Sequence, residues 1–148
     1  MTDLNPYQTA VKALALGKPE GGELMRPLIK EDPSRFALYT TALFVGLVER
    51  RFQEDHSLDA IASFMKDMKF AFRNAEPPLK LLATEALIKA VWDEDQPIDE
   101  IGSKEQQLCE LAVIRHVAHE DESARADLDN FLHDADLMVK AWLDQDSQ

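Results

Sequence analysis

The stretch Phe36-Ala37-Leu38-Tyr39-Thr40-Thr41-Ala42-Leu43-Phe44-Val45-Gly46-Leu47-Val48 carries no charged residue. Wound as a helix it is apolar on every side, and such a helix is buried on every side. It is also too short to cross a bilayer, which takes about 20 apolar residues. The fold class expected is therefore all-α: a single compact domain of five to six principal helices packed around a buried central helix, about residues 35–52. Ser34 is the expected N-cap of that helix. Arg50 and Arg51 follow its apolar run, where cations suit a helix C-terminus. Gly46 would cost about 1 kcal/mol relative to Ala in an exposed helix, so a neighbour is expected to cross closely there.

On the N-terminal side, Asn5-Pro6 is a helix start, with Asn5 as N-cap and Pro6 in the first position. Tyr7, Ala10, Val11 and Leu14 share one face, and Gly17 is the stop. Residues 17–33 then hold three of the five glycines and three of the seven prolines. This segment reads as an irregular connection, packed by Leu24, Met25, Leu28 and Ile29.

On the C-terminal side, Ser57 caps a helix whose stripe is Leu58, Ile61, Ala62, Met65, Met68 and Phe72, widened by Phe64 and Phe70. Pro77-Pro78 opens the next, with Leu79, Leu82, Ala83, Ala86, Leu87, Ala90 and Val91 in i, i+3, i+4 order. Ser103, with Gln106 three residues on, has capping-box spacing. It opens a broadly apolar helix through Leu108, Leu111, Val113, Ile114 and Val117. A last helix, with Ser123 as a cap, carries Leu128, Phe131, Leu132, Ala135, Met138, Val139, Trp142 and Leu143, and frays from Asp144. No strand is expected, because apolar and polar residues nowhere alternate. A faint repeat relates residues 41–44 and 58–61 to 85–88 and 98–101; chance explains two copies with shifted spacing.

A chain of 148 residues fits one domain, 1–148, able to bury a core without a disulfide or metal staple. The lone cysteine, Cys109, excludes an intramolecular disulfide and suits a reducing compartment. The first residues lack a basic segment followed by an apolar core, so no secretory signal is read. The localisation expected is cytoplasmic.

The net charge is −12. Residues 1–75 hold ten cations and ten anions, residues 76–148 six and eighteen, so the whole excess lies in the second half. Phosphate contacts need a basic surface, which disfavours nucleic acid and anionic membrane as partners. The acidic residues Glu120, Asp121, Glu122, Asp127, Asp129, Asp134 and Asp136 are the candidate protein-binding set. The plainer reading of this acid is a solubility device; the sharper one is a basic protein partner, or self-association through the basic side of the Ser57 helix at Lys66, Lys69 and Arg73.

No catalytic constellation is legible. Cys109 lies among apolar residues without a basic neighbour, so its thiol is unactivated. No serine sits in a nucleophile elbow. His116, His119 and Glu120, three and four residues apart on a helix, could face one metal, with His133 and Asp136 added from the next helix. Two histidines at that spacing arise readily by chance, and the plainer reading is a polar helix end. Glu110 and Arg115 are expected on that helix's narrow exposed strip. The sequence points to a non-enzymatic interaction or regulatory module with no cofactor. The alternative is a metal-dependent or small-molecule-binding protein using the His116/His119/Glu120 end or an apolar pocket between helices.

Overall fold

A computed structural model describes residues 3–146, and all its regular elements are helices. They are α1 (Pro6–Ala15), α2 (Gly21–Glu31), α3 (Pro33–Arg51), α4 (Leu58–Ala71), α5 (Leu81–Lys89), α6 (Ser103–Glu120), α7 (Glu122–Ala126) and α8 (Leu128–Asp146). Together they form one compact domain. The central-helix reading holds. α3 packs on α1, α2, α6 and α8, and Phe36, Ala42, Leu43, Phe44, Leu47 and Val48 are all buried. A Cβ on Gly46 would lie 3.4 Å from the Phe131 ring of α8, an ordinary van der Waals contact, so the expected crossing that only glycine allows is not found there. α4 and α5 pack on each other, and both pack on α6. α6 therefore joins the set around α3 to the α4–α5 pair.

Local chemistry explains α1 fully. Asn5 and Gln8 form a reciprocal capping box behind Pro6. At the other end Gly17 takes φ +67, Gly17 N–H donates to Leu14 O and Lys18 N–H donates to Ala13 O. That is a Schellman stop, which needs a residue free to adopt the left-handed conformation.

Residues 17–33 differ from the expectation. Most of this segment is the helix α2, despite two glycines and an interior Pro27. The reason is tertiary. A Cβ at Gly21 would meet the Leu14 side chain at 3.0 Å and the Leu14 backbone N at 3.2 Å, so glycine lets α2 start directly against α1. The α3 cap is Asp32, which accepts from Arg35 N–H at 3.1 Å with Pro33 in the first position; Ser34 lies inside the helix. Ser57 caps α4 as expected.

Three further boundaries move. α5 starts at Leu81, after Lys80 in extended backbone, rather than at Pro77-Pro78. α6 is preceded by Gly102, and Ser103 is its first residue, without a side-chain cap; Gln106 instead donates to Glu110. Asp121, not Ser123, caps the one-turn α7, accepting from Ala124 N–H at 3.0 Å. Ser123 accepts from Arg50 instead. Residues 98–101 form no helix, so the faint repeat has no structural counterpart. α8 stays helical through Asp146, against the fray expected from Asp144; Ser147 and Gln148 lie outside the described residues.

The buried faces are narrower than the apolar periodicity predicts. α4 buries Ile61, Phe64, Met65 and Met68, while Leu58 and Phe70 are exposed. Phe70 lies under the Arg73 guanidinium, 4.1 Å from its centre. Leu82 of α5 is 86% exposed and Leu108 of α6 is 51% exposed. No helix among the described residues is long and apolar enough to cross a membrane.

Candidate functional site

The exposed Leu108 marks a groove. α6 turns one face outward through Glu105, Leu108, Ala112 and Arg115, spaced three and four residues apart. Leu14 from the end of α1 lies beside it, and Phe72, Pro77, Pro78 and Leu79 from the α4–α5 connection line the same space. The Glu76–Pro77 bond in that connection is cis. The result is a cleft of about 750 Å³ whose surface is mainly hydrocarbon. Beyond Arg115 it meets a second cleft of about 660 Å³, lined by Gly17, Phe70, Asn74, His119 and Glu120 among others. The two share Phe72, Ala75 and Arg115. Lys80 and Glu105 pair at 3.4 Å on the α5 side of the groove.

Cys109 is buried beside this groove, its thiol pushed up chiefly by burial, with Sγ 3.9 Å from Lys80 O. It is the small core residue expected. Arg115 is exposed as expected, but Glu110 is not. It is 2% exposed, at the α3–α6 contact. Thr41 donates to one carboxylate oxygen at 2.9 Å and Gln106 to the other at 3.2 Å. Burial pushes its carboxyl up to about 7, against the pull of those two hydrogen bonds. The helix is broad enough in apolar surface that its pattern does not show which polar residue faces α3.

The histidine end does not assemble as a metal site. His116 is 7% exposed, its ring edge-on to Phe64 and tilted against Phe72, and burial pushes its pKa down. His119 and Glu120 point to solvent one turn on, and His133 sits on α8. Among the described residues no three His, Cys, Asp or Glu side chains are placed to share a metal.

The acidic candidates divide. Asp121 is the α7 cap. Asp127 pairs with Arg50 at 3.5 Å and Asp129 with Lys12 at 2.7 Å. Asp136 takes hydrogen bonds from Tyr39 and Asn5 and pairs with Lys140 at 2.8 Å. Its burial would raise its pKa, but the bonds from Lys140 and Tyr39 hold it lower than usual. Burial and that same contact push Tyr39 up to about 12. Glu120, Glu122 and Asp134 are exposed and make no ion pair among the described residues.

No known protein family, characterised protein or solved structure matches this chain. The site is therefore read from its own geometry. Sequence reasoning missed the groove, because periodicity shows that Leu108 is apolar but not that no helix covers it.

Proposed function

We propose that the protein is a non-enzymatic binding module whose working surface is the groove along the outer face of α6. The observation that carries this reading is the half-exposed Leu108, set among Leu14, Phe72, Pro77, Pro78 and Ala112 in a cleft of about 750 Å³. Ligand sites are concave, mostly apolar and lie between helices in bundles. The nearest nucleophile, Cys109, is buried with a raised pKa, which suits binding rather than chemistry.

The test is a titration with Nile red, a neutral dye that fluoresces in apolar surroundings. Saturable binding is expected, weakened about tenfold or more by Leu108→Glu, since an apolar side chain's burial is worth about 1.5–3 kcal/mol. The thermal midpoint should be unchanged, because Leu108 is half-exposed. Dye binding that ignores this substitution would sink the groove reading.

A second reading has its own support. Glu120, Glu122 and Asp134 remain exposed and unpaired among the described residues, which suits a basic protein partner. Self-association through Lys66, Lys69 and Arg73 is its variant. Association of either kind should weaken as salt rises, because exposed charges are screened over about 8 Å at physiological ionic strength. Changing Glu120 and Glu122 to Gln and Asp134 to Asn should reduce partner recovery from lysate at low salt and leave folding intact. Recovery and light scattering that respond to neither salt nor these changes would leave the acid as a solvated face.

A further inference from the structure

The groove's polar lining comprises Glu76, Lys80, Ser103, Lys104, Glu105 and Arg115. Arg115 lies where the two clefts meet, and its side chain makes no hydrogen bond or ion pair among the described residues. The guanidinium is laid against Gly17: a Cβ there would be 3.2 Å from Arg115 Nε and 3.3 Å from Nη2. The Schellman stop thus has a second use, since glycine at this position leaves the space that the guanidinium fills.

The other cations nearby are differently placed. Lys80 is paired with Glu105. Arg125 donates to the carbonyls of Ala118 and His119 at 3.2 Å each, closing the end of α6. Lys104 is exposed and unpaired, but it stands in the first turn of α6, about 16 Å along the helix from Arg115 at 1.5 Å per residue. Glu76 and Glu120 also line the clefts, yet neither pairs with Arg115.

A guanidinium beside hydrocarbon is matched by a ligand that has both halves. Its planar fork takes a carboxylate through two parallel hydrogen bonds, which are about twice as strong as neutral ones. The chain's net charge of −12 does not decide against an anion here, because charges beyond about 8 Å are screened at physiological salt. The described residues contain no strand whose edge could pair with an extended peptide, so the peptide rival to a simple hydrocarbon chain is an amphipathic helix, which the test below includes as an outcome.

We propose that the groove binds a small amphiphile, a hydrocarbon chain ending in a carboxylate, with the chain on Leu108, Ala112 and Phe72 and the carboxylate on Arg115. This inference rests on the groove reading above, and its test separates the two. Bound Nile red is displaced with dodecanoate, dodecanol and dodecylamine, each below its micellar concentration, from the parent chain, Arg115→Gln and Lys104→Gln.

In the parent, dodecanoate should bind about tenfold or more tighter than dodecanol, as expected for a hydrogen-bonded charge. Arg115→Gln should close that gap while leaving dodecanol unchanged, and Lys104→Gln should leave the gap intact. Arg115 is exposed, so its replacement should not alter the thermal midpoint. Equal affinity for acid and alcohol, a gap that survives Arg115→Gln, or a preference for the amine would overturn the carboxylate assignment while the groove stands. Tighter displacement by a leucine-rich peptide with a free C-terminus would overturn it in favour of a protein ligand. Failure of the dye itself to bind would remove both.

Discussion

Leu43→Ala should lower the stability of the folded chain by about 2–5 kcal/mol, the range for large-to-small truncation in a packed core. Leu43 is fully buried in the middle of α3, the helix on which α1, α2, α6 and α8 all pack. Little room exists for the surroundings to collapse into the space left, because several helices rather than one would have to move. Phe44→Ala, one position on and equally part of the core, should cost a similar amount. The informative control is Leu82→Ala. Leu82 also lies in an apolar helical pattern but is largely exposed, so its truncation should change stability by less than about 0.5 kcal/mol. Chemical denaturation of the three variants gives the comparison. Midpoints for Leu43→Ala and Phe44→Ala that match the parent would displace α3 from the centre.

Glu110→Gln should remove a pH dependence rather than a fixed amount of stability. The unfolded carboxyl titrates near 4.5 and the buried one near 7. Between those values the folded chain keeps a proton that the unfolded chain has lost. Stability therefore falls as pH rises across that window, and is level with respect to this group below and above it. The fall amounts to about 3 kcal/mol at 1.36 kcal/mol per unit. His116 works in the opposite direction. Burial depresses its pKa, so its neutral form favours folding as pH rises towards 6.5, and that contribution is lost in acid. The parent's own profile mixes the two, whereas the difference between parent and Glu110→Gln isolates the carboxyl. In urea titrations Glu110→Gln should gain on the parent by about 3 kcal/mol from pH 4.5 to 7. A difference that stays constant across that range would mean that Glu110 is ionised when folded, with its charge fully compensated by Thr41 and Gln106.

What could be read from the sequence follows a physical division. The start and stop of α1 are settled within a few residues and were legible in Asn5, Pro6 and Gly17, while the Gln8 half of the capping box came only with the structure. The centrality of α3 was legible for a related reason: an uncharged helix has no face to offer water. α2 was not, because the cause of Gly21 is the Leu14 side chain on another helix. The side of α6 that carries Glu110 was equally hidden, since a helix apolar on most faces does not say which of its few polar residues meets a neighbour. The groove escaped for the same reason in reverse. Leu108 and Leu82 fit a core pattern, and only the arrangement of the remaining helices leaves them uncovered. Arg115 was correctly placed at the surface, but its relation to Gly17 joins positions 98 residues apart in the chain.

The order in which α3 meets its partners has a consequence for synthesis. α1 and α2 precede it, but α6 and α8, which cover much of the rest of it, end at Glu120 and Asp146. At roughly 5–20 residues per second, the ribosome needs roughly 5–20 s after Arg51 to complete α8. For that interval the helix at the centre of the fold has only two short companions, and the nascent protein presents Leu43, Phe44, Leu47 and Val48 without their final cover. The native state hides this surface, so the chain's exposure to chaperones and to aggregation depends on translation speed as well as on the stability of the finished fold.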